Sequence, residues 1–221
     1  MENKLKKIVL GLFLLCGIAV VTWASFSLDA PVRAAVIGIE GSNWDHSFQK
    51  TIVGSVSRYG DWPELMALGA VGFLIAKKRR NLKWQRLFLI AMVASTLAGT
   101  MVNTLRLTTG RTRPRVSPAM EQAWYGPYHE GKWTVGHAEY NSFPSGHTAT
   151  AMAFAAIIFL GSPFWGIVAL FLAALVASSR VLLGAHHPSD LIAATLLSFA
   201  LAWWLWKYRD HVLWNQLFKL H

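Results

Sequence analysis

Three short stretches hold most of the side chains in this chain that can do chemistry. The first, "RLTTGRTRP", supplies Arg106, Arg111, Arg113 and Pro114. The second, "PSGH", runs from Pro144 to His147, and the third, "SRVLLGAHHPSD", supplies Arg180, His186, His187 and Asp190. Guanidinium groups grip an oxyanion bidentately and never lose their charge at a working pH. The "SG" of Ser145 and Gly146 lies at the start of a helix, where free backbone N–H groups and the dipole both favour an anion. Two separate histidines provide a nucleophile and an acid–base group. A carboxylate four residues after His186 can accept its other ring proton and fix the tautomer. An arginine clamp, helix-end amides and a His–Asp couple together suit phosphoryl transfer without a metal ion.

These stretches share one site only if the intervening elements return them to the same place. Between His147 and Arg180 lies Thr148–Ser179, 32 residues without a charge. As one helix it would extend about 48 Å and put the two ends on opposite faces of a bilayer. "GSP" at 161–163 breaks it, because Pro removes a donor and Gly permits a turn. Two antiparallel helices joined by a tight hairpin bring Arg180 back beside His147.

The same pattern runs through the chain. Of 221 residues, 54% are hydrophobic and 14% charged, with 11 tryptophans, and the mean hydropathy is +0.37. That composition points to a membrane protein and away from a soluble domain. The net charge of +10 does not indicate a nucleic-acid partner, because the basic residues fall in short clusters between apolar runs. Six apolar segments are expected to be transmembrane helices: Ile8–Leu28, Trp62–Ala76, Leu87–Leu105, Ser145–Leu160, Phe164–Ser179 and Leu191–Trp206. Several are only about 16 residues, roughly 24 Å, and must borrow flanking residues, with Trp62, Trp203, Trp204 and Trp206 as interfacial anchors. The first is expected to be a retained span and not a lipoprotein signal, since Leu15 precedes the single cysteine, Cys16. Loops are expected over about 29–61 and 106–144.

Charge sets the orientation. Lys4, Lys6, Lys7, Lys77, Lys78, Arg79, Arg80, Lys83, Arg86, Lys207, Arg209 and Lys219 fall on one side, 12 of the 21 basic residues. That side is expected to be cytoplasmic, with both termini inside and the motif-bearing loops on the periplasmic or extracellular face of a bacterial inner membrane. A single membrane-embedded domain over residues 1–221 is expected, with its motif core at 103–191.

Arg106-x6-Arg113-Pro114, Pro144-Ser145-Gly146-His147 and Ser179-Arg180-x5-His186-x3-Asp190 resemble the tripartite signature of the type 2 phosphatidic acid phosphatase superfamily. The resemblance covers residues 106–190 by motif and nearly the whole chain by helix pattern. It implies an all-α, integral-membrane six-helix bundle with a haloperoxidase-like core, acting on a lipid phosphate without a cofactor or metal. By that resemblance His186 attacks phosphorus to form a phosphohistidine and Asp190 orients it. His147 protonates the leaving oxygen and then activates water. Arg106, Arg113 and Arg180, with Ser145 and the Gly146 amide, hold the phosphoryl oxygens. Arg111 lies inside the spacer, where family members often carry arginine, and is given a secondary role. His187, beside the nucleophile, is read as a wet loop residue or a supporting partner of the site. The family usually carries lysine where this chain has Arg106, which replaces a compact ammonium by a wider fork.

The implied substrates are phosphatidylglycerophosphate, phosphatidic acid, undecaprenyl diphosphate and lipid A phosphate, and no obligate protein partner is implied. Two alternatives use the same residues: a lipid-to-lipid phosphotransferase, and a lipid-phosphate binding protein without chemistry. A metal site of His147, His186, His187 and Asp190 is disfavoured, because cations are not ringed with arginines. His129 and His137 are read as exposed loop residues, and Glu64 as interfacial.

Overall fold

The computed structural model describes residues 2–41, 49–116 and 123–209. All six expected helices form. They are α1 (Glu2–Ser25), α4 (Trp62–Lys78), α5 (Leu82–Thr109), α6 (Gly146–Gly161), α7 (Pro163–Leu182) and α8 (Pro188–Lys207). Among the described residues, four stretches are long and apolar enough to cross a membrane by length and composition: Gly11–Ile37, Leu82–Thr109, Pro163–Leu182 and Pro188–Lys207. The other two expected spans are the short kind that must borrow flanking residues. Helix α4 has 17 residues and α6 has 16, so neither meets the bilayer's thickness unaided.

Helix α6 has another reason to be short. Every residue from Thr148 to Ile158 is buried, because the helix lies in the middle of the bundle against α4, α5, α7 and α8. A helix that is apolar on all sides belongs inside. Its alanines (Ala149, Ala151, Ala153, Ala155 and Ala156) let the neighbours approach closely. The expected break falls between Gly161 and Pro163: Ser162 alone links α6 to α7, at φ −154° and ψ 89°. The two helices then nearly touch. A Cβ at Gly166 would stand 2.0 Å from Phe159 Cα, so only glycine fits there.

The segment expected as a loop at 29–61 holds more structure than that. Helix α2 (Asp29–Gly41) follows α1 after a 3₁₀ turn at Phe26–Leu28, and a short α3 (Gly54–Arg58) follows a π turn. The sequence "DAPVRAAVIGIEG" explains α2: an acid opens the first turn, and Val32, Ala35, Val36 and Ile39 recur at helical spacing. Within 106–144 the chain forms a small hairpin, β1 (Tyr128–His129) with β2 (Lys132–Trp133). Glu130 and Gly131 both take positive φ at its turn, 47° and 79°. His129 and His137 lie on this loop, as expected, and Glu64 bonds the exposed Arg58 at 3.2 Å.

Alternating helix direction gathers the ends. The C-termini of α5 and α7 and the N-termini of α4, α6 and α8 meet at one end of the bundle. Lys77, Lys78, Arg79, Arg80, Lys83, Arg86, Lys207 and Arg209 lie at the other. Lys219 lies outside the described residues, as do the side chains of Lys4, Lys6 and Lys7. Cys16 is exposed on α1.

Candidate active site

His186 is 1% exposed, in the turn between α7 and α8. Its Nδ1 lies 2.7 Å from the Ser142 carbonyl oxygen. A carbonyl only accepts, so Nδ1 carries the hydrogen and Nε2 keeps its lone pair. Burial, opposed by Asp190 but reinforced by the charges of Arg106 and Arg180, pushes the imidazole down to about 3. The ring is therefore neutral at physiological pH, the form a nucleophile requires.

Asp190 stands behind it. Its Oδ2 is 3.5 Å from His186 Nδ1, longer than the bond to Ser142. The same oxygen accepts from Ser142 Oγ at 2.5 Å and from the His187 amide at 2.8 Å. Ser142 is thus the link. Its amide donates to the Arg111 carbonyl, its hydroxyl to Asp190, and its carbonyl holds the histidine. Sequence reasoning did not single out Ser142, although it begins the stretch "SFPSGH".

Arg111 is placed away from the other arginines. It is fully buried and ion-paired with both Asp29, at 2.6 Å, and Asp190. The rings of Phe26 and Trp124 lie 5.0 and 4.9 Å from its Cζ. Its guanidinium steers a carboxylate and has no opening to an outside anion. His187 is likewise buried, with Nε2 donating to the Thr112 carbonyl at 3.2 Å.

The remaining arginines, Arg106, Arg113 and Arg180, lie close enough for their charges to act on one another. Arg106 Nε donates to the Pro144 carbonyl at 2.8 Å and Nη1 to Asn103 Oδ1 at 3.1 Å. Gly146 permits this: a Cβ there would stand 3.0 Å from Arg106 Nη2. Arg180 Nη1 donates to Ser57 Oγ at 2.5 Å, and Arg113 Nη2 to the Asn141 carbonyl at 3.4 Å. Arg113 is brought down to about 10, first by burial and then by Arg106, Arg115 and Arg180. Such crowding of like charge, with the Arg113 and Arg180 Nε atoms unpartnered among the described residues, is what a bound oxyanion relieves.

Ser145 caps α6, its Oγ accepting from the Thr148 amide at 3.4 Å and hydroxyl at 2.9 Å. Its own amide donates to the Asp190 carbonyl, which ties α6 to α8. The Gly146 and His147 amides make no hydrogen bond among the described residues, so they remain as first-turn donors.

His147 meets an unexpected partner. Its Nε2 lies 3.2 Å from Asp61 Oδ1. Asp61 precedes α4, yet its side chain forms no cap with that helix and is left for the histidine. Both line a cavity of about 460 Å³ with Trp62, Thr96, Thr100, Asn103 and Arg106. Among the described residues, no three His, Cys, Asp or Glu side chains are grouped as a metal would need.

Several known proteins are similar to this chain. A lipid A 1-phosphatase of Rhizobium etli is 31% identical over 131 residues, 57% of this chain and 53% of that protein. A putative undecaprenyl-diphosphatase of Escherichia coli is 31% identical over 50% of this chain and 54% of its own length. The chain thus spans about half the length of the curated relatives it matches. Among solved structures, a transmembrane PAP2-type phosphatidylglycerolphosphate phosphatase from Bacillus subtilis matches with a TM-score of 0.57 at 22% identity, covering 92% of this chain and 94% of that one. LpxE of Aquifex aeolicus matches at 0.55 and 20% identity, covering 82% and 96%. These two share the fold. The PAP2 superfamily model matches residues 84–214, a majority of the chain that includes all three motif stretches, and on that ground the chain belongs to the PAP2 superfamily.

Proposed function

We propose that this protein is a membrane phosphatase that removes phosphate from a lipid headgroup through a phosphohistidine. The observation that carries this reading is the state of His186: neutral, its Nδ1–H committed to Ser142, and Nε2 free beside the arginine cluster. Nε2 attacks phosphorus and the lipid oxygen leaves with a proton from His147. Water activated by His147 then releases phosphate from the imidazole. Arg106, Arg113 and Arg180, with the Gly146 amide, stabilise the charge on the phosphoryl oxygens. Ser145 supports the same cradle as the cap of α6, and Arg111 and His187 hold it from behind.

The cavity narrows the substrate class. Trp62, Thr96, Thr100 and Asn103 beside Asp61 and His147 give one aromatic face and several hydroxyl and amide groups. This lining suits a sugar headgroup better than a bare glycerol ester. Lipid A 1-phosphate is therefore the first candidate, in line with the named relatives in Rhizobium etli and Porphyromonas gingivalis. Undecaprenyl diphosphate is the second. The site end is proposed to face the periplasmic side, since the basic cluster lies at the opposite end.

The test is phosphate release by purified protein across lipid A 1-phosphate, undecaprenyl diphosphate, phosphatidylglycerophosphate and phosphatidic acid, with and without EDTA. Release is expected in EDTA and is expected to vanish in His186→Ala. Release that persists in the variant would overturn the nucleophile, and loss in EDTA would overturn the metal-free route. Phosphate appearing on a second lipid in place of free phosphate would make the enzyme a phosphotransferase.

A further inference from the structure

Asp29 opens α2, where an acid normally serves the amides of its own first turn. Here it serves other parts of the chain. Oδ2 accepts from Arg111 Nη2 at 2.6 Å and from Ser189 Oγ at 2.6 Å, and Oδ1 accepts from the Ser189 amide at 2.9 Å. The last two partners are 160 residues away in sequence. The side chain is fully buried, and a buried carboxylate is costly unless paired.

The pairing forms a line of contacts. Arg111 donates from Nη2 to Asp29 and from Nη1 to Asp190, so one guanidinium is shared between two carboxylates. Ser189 Oγ bridges them, donating to Asp29 and accepting from Arg111 Nη1 at 2.8 Å. Asp190 in turn holds Ser142, and Ser142 holds His186. The Phe26, Trp124 and Phe143 rings surround the guanidinium and keep water from replacing any of these partners. Asp29 is also the member furthest from the motifs, and it precedes the family-matched residues, which begin at 84.

We infer that Asp29 is a positioning residue for the reaction: it shares the Arg111 guanidinium with Asp190, so that Asp190 stays on Ser142 and His186 keeps its Nδ1–H tautomer. Without it, Arg111 turns more of its charge on Asp190 and draws that carboxylate off Ser142. The inference rests on the proposed role of His186 as nucleophile.

Two measurements test it. The first is steady-state phosphate release by Asp29→Asn, normalised to folded protein and compared with wild type on the same lipid. The expected result is a 10- to 100-fold fall in kcat with KM within about twofold, the size typical of a lost outer partner. Unchanged kcat per folded molecule would reduce Asp29 to an anchor for α2 and overturn the proposal. The second uses no substrate: ¹⁵N-histidine spectra of the protein in detergent, with His186 assigned through His186→Gln. Wild type should show one tautomer at His186 and Asp29→Asn a mixture; an unchanged signal overturns the proposal. Should Asp29→Asn fail to fold, Ser189→Ala carries both readouts, with a smaller loss expected in the same direction. If wild type releases no phosphate from any lipid, the phosphatase reading fails, and the spectra still decide whether Asp29 sets the His186 tautomer.

Discussion

Asp61 Oδ1 and His147 Nε2 stand 3.2 Å apart at the wall of the cavity, joining the start of α4 to the start of α6. His147 is thereby held and oriented from outside its own helix. Asp61→Asn should keep the fold and lower kcat about 10- to 100-fold with little change in KM. A steady-state comparison on one lipid checks this, and a rise in KM alone would mean that Asp61 contacts substrate.

His186 makes stability depend on acid. Its folded value, about 3, lies below the ordinary 6.5 because burial disfavours the charged ring. The unfolded chain therefore takes up the proton first. This contribution to stability is complete above about pH 6.5 and is lost as pH falls toward 3. The unfolding midpoint should drop over that window, and the drop should be smaller in His186→Gln. Thermal melts in detergent from pH 7 to pH 4 would show it.

Arg106→Lys supplies the residue usual at this position in the family. The lysine keeps the charge but puts all its donors on one nitrogen, in place of the separate Nε and Nη1 that now hold Pro144 O and Asn103 Oδ1. We expect kcat and kcat/KM to fall together by about tenfold, as the loss of a contact that stabilises developing phosphoryl charge requires. A rise in KM with kcat unchanged would instead confine Arg106 to ground-state binding.

Gly166→Ala should cost about 1–3 kcal/mol, since its methyl group would overlap Phe159 Cα. The melting midpoint should fall while the KM of the folded fraction is retained, because the contact lies at the end of the hairpin far from the cavity.

How much of this was legible in the sequence follows from distance along the chain. The hairpin at Ser162, the N-cap at Ser145 and the six helices arise from neighbouring residues, and pattern alone reveals them. Ser142, Asp61 and Asp29 act on partners 44 or more residues away, so no local spacing marks them. Arg111 shows the limit from the other side. In "RLTTGRTRP" it looks like its neighbours Arg106 and Arg113, and only the fold turns it toward Asp29 and Asp190. Helix α2 was hidden for a related reason, because a charged, proline-containing segment reads as a connection, and the fold half-buries only Val32, Arg33 and Val36 of its described side chains beyond Asp29.

From Thr148 to Ile158 helix α6 has no face left for lipid, since α4, α5, α7 and α8 enclose it, and only Phe159 near its end is exposed among its large apolar side chains. It acts as a fixed axle. A thicker or thinner bilayer acts on α1, whose Leu12, Phe13, Leu15 and Trp23 are exposed, and on the outer face of α7, where Phe164, Ile167 and Phe171 are. His147, at the head of the axle, stays in register with Asp190 across the Ser145 bond. Membrane thickness therefore bears on the site through Arg180, carried by α7, and Asp29, just after α1, and not through His147.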